Sequence, residues 1–328
     1  ARERTGLMGR EAVAPRLFPG LSARKFGNRL AASDAVIMNA GGLIADHLSH
    51  YLPGRIFALL AAQMSGKPVA LVNYSFAVTR PDLLAWVSPV LRAIDLHAVR
   101  ESHSRKSLLS IGVKPEKIVV VPDAAFAVDT PGSQDLKNSQ FTIALQVRGD
   151  RQQDIEAWAK LINELRMRCD ARVVFLVGCC KHDPPVLARL QKATTVESAA
   201  GHGSLSQLQQ AIGSADILIS DRYHGAVFAT QMGTPFIPLS GTTHKTAGLI
   251  ADLDYDVKVH PPLNNPGIGE IIATVASMLA QHPGKSDQLR SRAKNLQSRL
   301  FEDYRSIIQR LLSTADHKKS HIGVEQFW

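Results

Sequence analysis

Short apolar runs alternate along this 328-residue chain with stretches whose apolar positions recur every three or four residues. That rhythm predicts parallel strands joined by crossover helices. In the first half, the runs at 35–39, 68–73, 98–99 and 118–121 read as strands, and 55–65, 83–94 and 102–110 as helices. A polar stretch at 128–139, containing Asp129-Thr-Pro-Gly-Ser133, reads as a linker. The rhythm then restarts. Strands are predicted at 141–147, 172–177, 216–220 and 236–239, helices at 152–167, 185–192, 204–212 and 226–232, and Ser204 has the chemistry of a helix N-cap. A long charged helix at 286–312 is expected to pack back across both halves. The fold class that follows is α/β, with two Rossmann-like domains of parallel sheet facing across a cleft. The expected divisions are 1–135, 136–285, and a C-terminal helix and tail at 286–328. In such sheets ligands bind beyond the C-terminal strand ends.

Composition narrows the compartment and the partners. With 45% hydrophobic and 20% charged residues the chain is globular rather than disordered. No run approaches the ~20 apolar residues of a membrane-spanning helix, and no hydrophobic leader follows a basic start. The three cysteines, Cys169 and the adjacent Cys179 and Cys180, have neither disulfide-framework nor metal-ligand spacing. No His-x-x-x-His or carboxylate cluster points to a metal, and a cytoplasmic, reducing compartment is expected. The net charge of +9 raises the local concentration of anionic partners. Much of it lies in the first ~30 residues and at 285–319, where solvated helix faces are the expected reading. Aromatic content is 6% and no nucleic-acid motif is present, so no nucleic-acid partner is expected.

The chemistry concentrates at 216–235. A buried strand at 216–220 hands over to small helix formers at 226–232, which stop at Gly233 and Pro235. Arg222 and His224 are expected in the turn between them. A helix N-terminus has backbone N–H groups without internal partners and the positive end of the helix dipole, so it favours an anion. Arg222 adds a planar fork for phosphate or carboxylate, and His224 titrates near neutrality. The plainer readings are a salt bridge from Arg222 to Asp221 or another carboxylate, and a capping or core role for His224. Gly41 and Gly42, after the first strand, read as a tight turn. His97 and His103, flanking Arg100, read as surface residues.

Three segments carry a family resemblance. Arg222-Tyr-His-Gly225, Gly233-Thr-Pro-Phe-Ile237 and Lys245 in Thr242-Thr-His-Lys245 match, in order and spacing, the signature of the polysaccharide pyruvyl transferase family. Ala98-Val-Arg-Glu-Ser-His-Ser-Arg-Lys-Ser-Leu-Leu-Ser-Ile-Gly-Val113, followed by Ile118-Val-Val-Val-Pro-Asp-Ala-Ala-Phe126, is similar to a second family run. Asp34-Ala-Val-Ile-Met-Asn-Ala-Gly-Gly-Leu43 resembles the family's glycine-cluster strand. The resemblance spans roughly residues 30–280. The N-terminus departs from it: residues 1–31 contain no Asn-x-Gly-Asp turn, so the family's first strand is expected to be missing or that half to be built differently.

The resemblance implies a GT-B-like transferase that moves a pyruvyl group from phosphoenolpyruvate to a glycan sugar as a ketal, in exopolysaccharide or cell-envelope glycan synthesis. His224 would then be catalytic, with Arg222, Gly225, Lys245 and Arg148 binding the donor. Arg148 follows the first strand of the second half, where family members often carry an arginine. Arg100, Gly41, Gly42, His202 and His244 would line the acceptor side or the cleft. No cofactor is implied beyond phosphoenolpyruvate as co-substrate. The implied acceptor is a glycan or lipid-linked oligosaccharide, met in the cytoplasm or at the inner face of the membrane. Two alternatives stay open. One is a GT-B glycosyltransferase using a nucleotide sugar, with Asp252 or Asp254 as ribose-binding carboxylate; the other is a non-catalytic glycan-binding relative.

Overall fold

The computed structural model describes residues 23–131, 140–199, 204–241, 243–280 and 282–325. The chain divides into two units: unit 1 is Ala1–Asp123 with Arg299–Trp328, and unit 2 is Ala124–Ser298. The division thus falls at 123/124 rather than at 135/136. Its physical cause is the 3-10 turn Ala124–Ala127, which is tied to unit 2. There the Gln231 side-chain amide donates to the carbonyls of Ala125, Phe126 and Val128 at 3.1–3.3 Å. The C-terminal helix is likewise not a separate segment, since its residues divide between the units at Ser298.

Unit 1 runs α1 (Ala23–Ala31), β1 (Val36–Ala45), α2 (Leu52–Met64), β2 (Val69–Ala77), α3 (Pro81–Ala93), β3 (Leu96–Val99), α4 (Ser102–Ser110) and β4 (Ile118–Val120). Its four strands lie in the order β1-β2-β3-β4, all parallel. Helices cover the sheet, so the inner strand positions are apolar on both faces. Ile44, Leu59, Leu71, Phe76, Val87 and Leu91 form the centre of the core.

Two expectations change here. Gly41 and Gly42 do not make a turn after a short strand, because β1 continues through them to Ala45. The register against β2 shifts between Gly41 and Ile44, and Gly41 takes φ 54°, a left-handed conformation that glycine adopts without a Cβ penalty. His97 is not a surface residue but fully buried in β3. Tyr74 Oη donates to its Nδ1 at 2.6 Å, and its Nε2 donates to the Leu91 carbonyl at 2.9 Å. Burial pulls the His97 pKa down to about 4.

Unit 2 contains β5 (Thr142–Gln146), α5 (Ile155–Cys169), β6 (Arg172–Leu176), α6 (Asp183–Ala193), β7 (Glu197–Ala199), α7 (Leu205–Gly213), β8 (Ile217–Ser220), α8 (Tyr223–Met232), β9 (Phe236–Pro238), α9 (Lys245–Asp252) and α10 (Ile268–Ala280). The long α11 (His282–Glu325) follows and supplies residues to both units. Strand order is β7-β6-β5-β8-β9, all parallel. The chain therefore winds outward from β5 in one direction, then returns to its other side with β8. The C-terminal ends of β5 and β8 form the switch point, where a doubly wound sheet opens a crevice.

Local chemistry sets the helix ends. Asp154 caps α5 by accepting from Ala157 N at 3.0 Å, and Ser204 caps α7, as its position predicts, by accepting from Gln207 N at 3.2 Å. Gly233 ends α8 with φ 71°, a left-handed stop. Helix α6 starts at Asp183, two residues before the predicted start, because Pro184 and Pro185 fit a first turn that has no use for their N–H groups. Among the described residues no helix is long and apolar enough to cross a membrane.

Candidate active site

The site is built at the switch point of unit 2. Gln146 ends β5, Ser220 ends β8, and the two residues are paired in register. The chain turns at Asp221 and Arg222 and enters α8 at Tyr223. His224 is therefore in the first turn of α8 rather than in the loop before it. Arg222 is the N-cap, extended at φ −103°, ψ 129°, with its N–H held by Ser220 Oγ at 3.0 Å. That bond fixes where the helix begins.

Around this turn lies a cavity of about 440 Å³, within the size range of small-molecule sites. Arg148, Arg222, His224, Gly225 and Lys245 all line it, together with Gln146, Gly178 and Tyr223. Leu205, Leu208 and Phe228 supply an apolar wall. The five residues expected to hold the donor and carry the catalysis are thus brought together. The Lys245 ammonium lies 5.7 Å from the centre of the Tyr223 ring, a cation–π distance. The exposed His224 ring lies edge-on to Tyr223 at 5.3 Å and parallel to Phe228 at 6.2 Å. Lys245 opens α9, a helix that the sequence pattern does not predict.

The arginines are held by carboxylates. Arg222 Nη2 donates to Asp183, whose side chain is fully buried. Asp183 also accepts from the backbone N–H groups of Gly149, Gly178 and Cys179 at 3.0, 2.9 and 2.7 Å. One carboxylate therefore ties the loops after β5 and β6 to the first turn of α6 and to Arg222. Arg222 Nε is buried and has no hydrogen-bond partner among the described residues. Arg148 is held by Asp150 through Nε at 2.9 Å and Nη2 at 2.6 Å. Those bonds lower the Asp150 carboxyl to about 2, with the nearby Arg222 charge assisting, and raise Arg148 above its ordinary value. The salt-bridge partner of Arg222 is Asp183, not Asp221. Asp221 accepts from Arg151 Nη2 and Arg148 N at 2.8 Å each, and burial pushes its pKa up against those partners.

The residues expected on the acceptor side do not join this cavity. Arg100 is 5% exposed inside unit 1, with Nη1 on Asp123 at 2.6 Å and Nη2 on Ser75 Oγ at 2.9 Å. Its motif neighbours Glu101 and Ser104 are equally buried and bonded to each other, and Ser104 Oγ accepts from Phe76 N at 2.8 Å. This second motif is a buried polar network that fixes strand ends of unit 1. Gly41 and Gly42 belong to β1 of the same unit. His244 is the half-buried N-cap residue of α9 and does not line the cavity. His202 lies outside the described residues. No group of three His, Cys, Asp or Glu side chains suited to a metal occurs among the described residues.

The sequence reading misses Asp183, Gln146 and Gly178. For Asp183 a signal exists: an acidic residue directly before Pro184-Pro185 marks a helix start after a strand-end glycine. Gln146 carries none, since one polar residue at a strand end is ordinary.

Two parallel-sheet units of Rossmann type define a class: the fold is that of GT-B glycosyltransferases and related epimerases. The chain resembles the UDP-N-acetylglucosamine 2-epimerase of Neisseria meningitidis bound to UDP-GlcNAc, with TM-score 0.57, 16% identity, and coverage of 94% of this chain and 90% of that one. An α,α-trehalose-phosphate synthase (UDP-forming) of Burkholderia vietnamiensis gives TM-score 0.60 at 13% identity, covering 96% and 77%. S. aureus MnaA in a structure with UDP gives 0.59 at 16%, covering 94% and 80%. At such identities the likeness is one of fold and not of chemistry. The family is narrower: a model of the polysaccharide pyruvyl transferases matches residues 10–242, more than half of the sequence, and the chain belongs to that family. No curated protein sequence is significantly similar to the chain.

Proposed function

We propose that this protein transfers a pyruvyl group from phosphoenolpyruvate to two hydroxyls of a glycan sugar, forming a ketal. The observation that carries this reading is the convergence of Arg148, Arg222, Lys245 and His224 on one cavity at a helix N-terminus. Phosphoenolpyruvate carries a phosphate and a carboxylate, and both anions are favoured there by the helix end and the guanidinium groups. Arg222, Lys245 and Arg148 bind the donor. Gly225 keeps the first turn of α8 free of a side chain, since an added Cβ would overlap Gln146 Oε1 and lie 2.6 Å from Ser220 Oγ.

The reaction needs one proton on the donor's methylene carbon, which becomes the methyl group. Both sugar oxygens bond to C2 and the C2–O bond to phosphate breaks. Of the two hydroxyl protons displaced, the balance places one on the methyl group and one on the departing phosphate. His224, exposed at the cavity, is the proton-transfer group, and the cations stabilise the leaving phosphate. No further cofactor enters this scheme. The acceptor is a glycan or lipid-linked oligosaccharide, met in the cytoplasm or at the inner membrane face.

A nucleotide-sugar reaction has less support, because Asp252 and Asp254 do not line the cavity and the Asp254 side chain is 99% exposed. The test is to incubate the protein with phosphoenolpyruvate and a panel of galactose-, mannose- and glucose-containing acceptors. Phosphate release should match the mass gain of a ketal-linked pyruvyl group. Uridine diphosphate binding with no turnover of phosphoenolpyruvate would reject the proposal.

A further inference from the structure

The cavity contains a neutral donor that the reading above does not use. Gln146 is 2% exposed. Ser220 Oγ accepts the Arg222 N–H at 3.0 Å, and its own proton lies nearer to Gln146 Oε1, at 3.2 Å, than to the Arg222 carbonyl, at 3.4 Å. The shorter contact assigns the oxygen end of the carboxamide to Ser220, an assignment resting on the hydrogen-bond network. Nε2 then donates to no acceptor among the described residues. Glycines on two separate loops clear the carboxamide's space: a Cβ on Gly225 would overlap Oε1, and one on Gly178 would lie 2.7 Å from Nε2. The same added Cβ on Gly178 would lie 3.2 Å from Arg222 Nε, the buried nitrogen without a partner. Two N–H donors therefore border one patch of cavity wall that no side chain fills. Arg222 Nε is buried and unpaired, which is costly, so the site disfavours any ligand without an acceptor at that place.

We propose that Gln146 Nε2 and Arg222 Nε together take one anionic oxygen of the ligand, a carboxylate or phosphoryl oxygen, and that Gln146 is a specificity-determining residue of the site. The assignment rests on the reading of the cavity as the phosphoenolpyruvate site. Its test uses the full chain and calorimetric binding of four probes: phosphoenolpyruvate, inorganic phosphate, pyruvate and uridine diphosphate. Gln146→Leu removes the donor, and Gly178→Ala displaces it without changing its chemistry. Loss of a hydrogen bond to a charged group should weaken phosphoenolpyruvate binding about 10- to 100-fold in each variant, with wild-type circular dichroism. Weakened inorganic phosphate binding in parallel assigns the pair to a phosphoryl oxygen; weakened pyruvate binding assigns it to the carboxylate. If Gln146→Leu does not fold, Gly178→Ala carries the test. Affinities equal to wild type in the folded variants overturn the proposal. A wild-type protein that binds only uridine diphosphate, more weakly in both variants, would retain the donor pair and reject the phosphoenolpyruvate reading. A wild-type protein that binds none of the four rejects both.

Discussion

Replacing Asp183 with alanine should damage the fold of unit 2 more than any change at the cavity surface. The carboxylate is fully buried and serves four donors, three of them backbone N–H groups on loops after β5 and β6. Alanine leaves those three without their acceptor, at about 1 kcal/mol each where water can partly replace it. It also leaves the Arg222 guanidinium unpaired; removing one partner of a fully buried ion pair costs about 3–5 kcal/mol. Arg222 is 21% exposed, so only a fraction of that applies. The sum is about 4 kcal/mol. For a unit of this size each kcal/mol lowers Tm by about 2–4 °C, so a loss of about 8–16 °C is expected by calorimetry. Arg222→Ala should cost only about 1 kcal/mol, because Asp183 keeps its three backbone donors. A Tm for Asp183→Ala within about 2 °C of wild type would refute the role of this carboxylate as the tie between loops. Equal losses in the two variants would show that the ion pair, rather than the backbone donors, carries the stability.

Three further outcomes are expected. His224→Ala should lower phosphate release from phosphoenolpyruvate about 10²- to 10⁴-fold while leaving stability within about 0.5 kcal/mol, since the ring is exposed; near-normal turnover would remove His224 from the chemistry. Arg222→Lys should raise the KM for phosphoenolpyruvate about 10-fold with a smaller change in kcat, because an ammonium cannot reproduce the guanidinium fork; an unchanged KM counts against Arg222 as a donor ligand. Unit 1 should weaken in acid. Burial lowers the His97 pKa from 6.5 to about 4, so within that window the unfolded chain binds a proton that the folded chain excludes. Stability is then intact above about 6.5 and falls by about 3 kcal/mol as the pH drops to about 4. Urea unfolding of wild type and His97→Gln over that range should diverge, and parallel profiles would contradict the buried neutral imidazole.

The sequence by itself determined the alternation of strands and helices, because a strand covered on both faces must be apolar and a crossover helix must be amphipathic. Residues 141–147 and 216–220 show this, matching β5 and β8 to within two residues at each end. It also located Arg222 and His224 at a strand-to-helix handover and, through the order of its motifs, the family. Short or uniformly apolar elements escaped it. The three-residue β7 and the eight-residue α9 are too short to separate from loop, whereas α10 is missed although Ile268, Ile271, Val275 and Met278 stand at helical spacing.

Only the tertiary structure decided which polar residues line a cavity and which are internal ties. Arg100 and Arg222 both follow a buried strand, yet Arg100 closes on Asp123 inside unit 1, whereas Arg222, held by Asp183, lines a cavity. The difference depends on what arrives from distant sequence: Asp123 in one case, and Asp183 with the side-chain-less Gly178 in the other. Strand order sets those meetings. By placing β8 beside β5, it brings Gln146, Ser220 and Arg222 together across more than seventy residues of chain. Local periodicity carries no record of such pairings, because hydrogen bonds and missing side chains act through space.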